Sequence, residues 1–79
     1  MRLVYFAWVR EAVGADEEEV DVPASVETVA DLAAWLAARH PVFADPARLR
    51  AAIDQRMARF EDRIAGAKEI AFFPPVTGG

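Results

Sequence analysis

The residues of this 79-residue chain best suited to chemistry are its last nine, Ala71-Phe72-Phe73-Pro74-Pro75-Val76-Thr77-Gly78-Gly79. A free carboxylate on Gly79 is a poor electrophile until it is given a leaving group, such as an adenylate. Once activated, it can pass an acyl group or accept a sulfur nucleophile. Gly78 and Gly79 leave that carboxylate without steric cover, so a narrow channel in another protein could admit it. Glycine is costly to order, which makes it a poor choice unless slimness or unusual backbone angles are needed. Pro74 and Pro75 favour an extended, polyproline-like stem pointing away from the body of the protein. From Pro74 to Gly79 the chain can reach at most about 20 Å. A terminal Gly-Gly pair alone arises by chance at roughly 0.5%, so the pair carries weight only together with the Phe-Phe-Pro-Pro stem before it.

No other cluster offers a self-contained active site. Glu17, Glu18, Glu19 and Asp21 are acidic, but successive strand residues point to opposite faces and do not converge. They read as a solvated edge. His40 reads as an exposed residue at a helix end, and Thr77 has no base beside it. The absence of cysteine excludes a disulfide framework, a thiolate metal site and a CxxC redox motif. It also means that no internal thiol can intercept an activated terminus. The net charge of −4 is unevenly spread, with −6 over residues 1–31 and +2 over residues 32–79. An acidic chain lacks the basic stripe on which nucleic-acid affinity depends. No apolar run nears the roughly 20 residues of a membrane span, and the N-terminus lacks a signal peptide's regions, so a cytoplasmic location is expected.

A tail of this kind needs a body to carry it, and the pattern predicts one small domain over residues 1–73 with an extended tail over 74–79. Seventeen residues are alanine, so the large apolar set suffices for a single small core. Such a core contributes only about 3–5 kcal/mol net. Arg2 to Trp8 is apolar on both parities and predicts a strand covered on both faces. Val9 to Val13 is too short to predict a regular helix before Gly14. Asp16 to Val22 reads as an edge partner of the first strand, stopped by Pro23. Thr28 with Asp31 three residues on signals a helix start. Val29, Leu32, Ala33 and Leu36 then form one apolar stripe, running toward Arg39, His40 and Pro41. Leu49 to Ile53 predicts a third strand, Asp54-Gln55 a turn, Met57 to Phe60 a short strand, and Lys68 to Phe73 the last strand. The first and last strands should lie side by side at the centre. One main helix crossing a mixed sheet is an α+β, β-grasp arrangement.

If one sheet face takes that helix, the other is left carrying Phe6, Met57 and Phe73. An exposed apolar patch of this kind marks a binding surface.

The sequence resembles a known family, the small, ubiquitin-like subunit of molybdopterin synthase. The resemblance runs over essentially the whole chain. It is clearest in Leu3 to Glu11 (the family's VxYFAxxRE opening), in Ala52-Ile53-Asp54-Gln55, and above all in Ala71 to Gly79. Asp54 stands where the family usually has Asn. Gly66-Ala67-Lys68-Glu69 replaces its usual Asp-Gly-Asp-Glu turn, with the glycine displaced by one position.

The resemblance implies a ubiquitin-like β-grasp fold and a sulfur carrier with no cofactor of its own. An adenylating enzyme related to ubiquitin activators would use ATP on Gly79, and a persulfide donor would then leave a thiocarboxylate there. The tail, from Pro74 through Val76 and Thr77 to Gly79, would enter the large catalytic subunit. There the sulfur would pass to cyclic pyranopterin monophosphate. Phe6, Met57 and Phe73 match partner-facing positions, and two small with two large subunits is the implied assembly. Two other readings stay open. One is a protein modifier, or a sulfur carrier for thiamin or tRNA thiolation. The other is an interaction module whose tail has no chemistry.

Overall fold

A computed structural model describes residues 1–75. The elements run β1 (Arg2–Tyr5), α1 (Ala7–Val13), β2 (Glu17–Glu19), α2 (Val29–Leu36), two 3₁₀ turns (Pro41–Ala44 and Pro46–Arg48), β3 (Arg50–Ile53), β4 (Arg56–Ala58) and β5 (Glu69–Phe73). They form one five-stranded sheet in the order β2-β1-β5-β3-β4. β1 and β5 pair in parallel, and the other neighbours are antiparallel. The expected central pair is therefore present. β2 and β3 lie on opposite sides of that pair, so the chain must cross it between them, and α2 makes the crossing. This is the β-grasp arrangement.

The helix forms where its stripe and cap place it. Thr28 Oγ1 accepts from Asp31 N at 3.1 Å, while Asp31 Oδ2 accepts from the backbone N–H groups of Glu27 and Thr28 at 3.1 and 3.2 Å. These bonds, that from Glu27 foremost, hold the Asp31 carboxyl below its ordinary range. Val29, Leu32, Ala33 and Leu36 are all buried. They face Leu3, Tyr5, Ile70, Phe72 and Ala51 of the sheet in one core. Phe43 from the first 3₁₀ turn stands edge-on to Phe72, with ring centroids 4.9 Å apart. The helix ends at Leu36, earlier than the run to His40 suggested, and a turn follows in which the N–H groups of Arg39 and His40 both donate to Leu36 O.

The first segment departs from expectation. β1 stops at Tyr5, and a seven-residue helix occupies Ala7–Val13. Gly14 ends it in the left-handed region at φ 88°, its N–H donating to Arg10 O. Val9 is fully buried beneath this helix, and that burial stabilises a segment too short to persist alone. Ala7 takes φ 54°, a conformation costly for a residue with a Cβ. It turns the chain sharply from strand into helix. Nor is β1 covered on both faces, because both helices lie on the side of Leu3 and Tyr5.

β2 is shorter than Asp16–Val22 but is the edge strand expected. The solvated reading fails for Glu18 alone. Its Oε1 accepts from the buried Tyr5 hydroxyl at 2.8 Å and lies 3.3 Å from His40 Nε2. His40 is accordingly half-buried between Tyr5 and Phe43 rather than exposed. Burial, reinforced by the bond to Glu18 and its charge, pushes the Tyr5 phenol well above its ordinary pKa. The folded state thus holds Tyr5 protonated at pH values where the unfolded chain ionises it. That contribution to stability is complete below about pH 10 and is lost as pH rises above it. Tyr5 is the sole tyrosine, so tyrosinate absorbance reports it alone. Absorbance should rise together with loss of structure in alkali. Titration near the ordinary tyrosine pKa with the fold intact would contradict this.

Candidate functional site

Asp54 and Gln55 join β3 to β4 with positive φ at both positions, 47° and 70°, the two-residue hairpin turn that favours Asn, Asp and Gly. Asp54 Oδ1 also accepts from the N–H groups of Lys68 and Glu69 at 3.0 and 2.9 Å. A carboxylate serves here as well as an amide oxygen would. This bond fastens the start of β5, and Gly66 supplies the preceding left-handed position at φ 80°. The displaced glycine therefore leaves β5 in register.

That register decides where the expected partner-facing residues fall. Met57 lies opposite Ala52, Ala52 opposite Ala71, and Ala71 beside Val4, while Phe73 lies opposite Arg50. Paired residues share a face, so these side chains stand on the side of the sheet away from both helices. Phe6 continues β1 by donating its N–H to Phe72 O at 3.1 Å, which brings it alongside Phe73 on the same face. Met57 is 70% exposed and Phe6 50%. Phe73 is half-buried, as is Val4. Ala52 and Ala71 form a floor between them, screened by their cross-strand neighbours. Phe6, Met57 and Phe73 are thus brought to one apolar face that no element of the described chain covers, flanked by Arg50 and by the Arg2–Glu69 ion pair at 2.6 Å.

β5 delivers the stem directly from this face. Pro74 and Pro75 are half-buried rather than projecting clear of the body. They line a shallow groove with Trp8 of α1 and with Ala47 and Arg48 of the second 3₁₀ turn. The Arg48 guanidinium carbon lies 5.0 Å from the Trp8 ring centroid, a cation–π contact. Sequence reasoning missed both residues, since nothing in their spacing relates positions 8 and 48 to 74. Val76, Thr77, Gly78 and Gly79, the rest of the expected tail, lie outside the described residues. Among the described residues no group of three His, Cys, Asp or Glu side chains could hold a metal ion. No helix among them is long and apolar enough to cross a membrane.

Residues 3–79 match the model of the ThiS family, tail included. The chain belongs to the ThiS family. It is 39% identical over its whole length to the molybdopterin synthase sulfur carrier subunit of Escherichia coli (strain K12), covering 99% of that protein. The namesake subunit of Haemophilus influenzae (strain ATCC 51907 / DSM 11121 / KW20 / Rd) is 34% identical, again over the whole chain and 99% of the relative. The chain therefore shares its family with these sulfur carrier subunits, as its opening strand and tail had implied. The crystal structure of H. volcanii small archaeal modifier protein 1 superposes with a TM-score of 0.75 at 25% identity, over 95% of each chain. This ThiS-family member thus has the β-grasp body of its relatives, and the apolar sheet face and the tail stem adjoin one another on it.

Proposed function

We propose that this protein is the sulfur carrier of a molybdopterin synthase, with the terminal carbonyl of Gly79 as the carrying atom. The observation that supports this best is the full-length match to sulfur carrier subunits through the Gly-Gly end, on a body whose uncovered apolar face adjoins the stem.

The chemistry follows from the terminus. A carboxylate oxygen of Gly79 attacks the α-phosphorus of ATP on an adenylating partner, and pyrophosphate leaves. A persulfide sulfur then attacks the acyl carbon and AMP leaves. A thiol cleaves the resulting acyl disulfide, so that the terminal sulfur stays on Gly79 as a thiocarboxylate and the donor's own sulfur departs as a mixed disulfide. In the large catalytic subunit, the thiocarboxylate sulfur forms a C–S bond to cyclic pyranopterin monophosphate as a carbon–oxygen bond of that substrate breaks, and water cleaves the acyl–sulfur bond to restore the carboxylate. Two such deliveries supply the two sulfurs of the dithiolene. The chain contributes no acid or base to these steps. It presents a slim, activatable end and docks the surface behind it, with Phe6, Met57 and Phe73 as the contact residues.

A second reading, conjugation of Gly79 to lysines, is favoured by the likeness to a protein named as a modifier. Transfer separates the two. Chain carrying a chemically installed thiocarboxylate, mixed with large subunit and cyclic pyranopterin monophosphate, should yield molybdopterin and return as carboxylate. Chain that keeps its sulfur in that mixture, but forms lysine adducts with activator and ATP, would establish the modifier reading instead.

A further inference from the structure

We propose that Trp8 and Arg48 form a collar that sets the direction in which the Pro74-Pro75 stem leaves the sheet, making them positioning residues for delivery of the tail. The consequence for delivery rests on the sulfur-carrier reading; the geometry does not.

Both halves of the collar stand on anchored backbone. Trp8 sits in the first turn of α1, between the strained Ala7 and the fully buried Val9. Arg48 ends the second 3₁₀ turn, and the next residue, Leu49, is fully buried. Their side chains meet at 5.0 Å in the groove that Pro74 and Pro75 line. Trp8 offers a flat apolar surface for the proline rings. Arg48, 5.0 Å from that ring, holds its orientation and lines the same groove. Because each proline fixes its own φ, holding the first two residues of the stem aims those that follow. A stem left to pivot would spread its end over a larger volume, lowering the effective concentration of Gly79 at the partner's site. Docking through the sheet face would be unaffected. The collar should therefore act on turnover and leave affinity alone.

The lack of native cysteine lets a single introduced one carry a probe. A nitroxide on T77C should broaden amide signals of α1 and of residues 46–48 in the parent chain. In R48A, an exposed position whose loss leaves the core intact, that localised broadening should weaken. Sulfur transfer within the complex should slow by about three- to tenfold, as effective concentration falls, with the dissociation constant for the large subunit unchanged. W8A should do the same and W8F should recover most of the loss, with melting curves confirming that each variant is folded. Parent-like broadening and turnover in R48A would overturn the proposal, as would lost broadening with unchanged turnover. A parent that transfers no sulfur while its broadening still responds to R48A would support the collar and remove the sulfur-carrier reading.

Discussion

Deleting Gly78 and Gly79 should abolish sulfur delivery while leaving the melting temperature within about 1 °C of the parent. Glycine has no side chain to bury, so the core of Leu3, Tyr5, Leu32, Leu36, Phe43, Ile70 and Phe72 is untouched. What is lost is reach and slimness. The chain would end at Thr77, about 7 Å shorter, with a β-branched side chain on the residue that must be activated. Adenylation by the activating partner and transfer to cyclic pyranopterin monophosphate should both fall to background, although the deleted chain still binds the large subunit through its sheet face. A deletion variant that melts early would show the terminus to be structural. One that still delivers sulfur would place the reacting atom elsewhere.

The adjacent pair Phe72 and Phe73 should give opposite results. Phe72 is fully buried against Phe43, on the helix side of β5. Phe72→Ala removes a large core side chain at a cost of about 3–5 kcal/mol. That matches the whole net stability of about 3–5 kcal/mol available to so small a core, so the variant should be largely unfolded at room temperature. Phe73, one residue on, points to the uncovered face beside Phe6. Phe73→Ala should leave the domain folded and weaken the complex with the large subunit by about 2 kcal/mol, roughly thirtyfold in affinity. Calorimetric melting and a binding titration on both variants check this together. A folded Phe72→Ala domain, or a Phe73→Ala domain that melts early and binds normally, would reverse the assignment of faces.

That distinction is visible in the parity of the last strand, which sets Phe73 opposite to Ile70 and Phe72. Phe6 follows from the parity it shares with Val4 in the first strand, whereas no parity in the short run from Met57 to Phe60 places Met57, which the family resemblance supplied. Local signals worked elsewhere for the same reason: the Thr28–Asp31 cap and the stripe from Val29 to Leu36 each lie within a few residues of one another. The failures are equally physical. Tyr5-Phe6-Ala7-Trp8-Val9 is apolar throughout and satisfies strand and helix patterns alike. The switch between them turns on Ala7 adopting φ 54°, which its side chain disfavours and only the surrounding packing enforces. Gly14 marked the end of α1, but without a long run before it that signal reads as a loop. Glu18 and His40 are 22 residues apart and meet only because β2 and the segment after α2 pack on the same end of Tyr5. The Trp8–Arg48 groove along the stem is likewise a product of tertiary packing, invisible to spacing.

The central claim, that Gly79 carries sulfur, is tested most directly by the intact mass of the chain before and after incubation with adenylating partner, ATP and persulfide donor. The mass should rise by the difference of one sulfur replacing one oxygen, dependent on all three components and absent from the chain lacking Gly78 and Gly79. The original mass should return once large subunit and cyclic pyranopterin monophosphate are added. A mass that never changes under these conditions, or a gain located by fragmentation anywhere but Gly79, would contradict it.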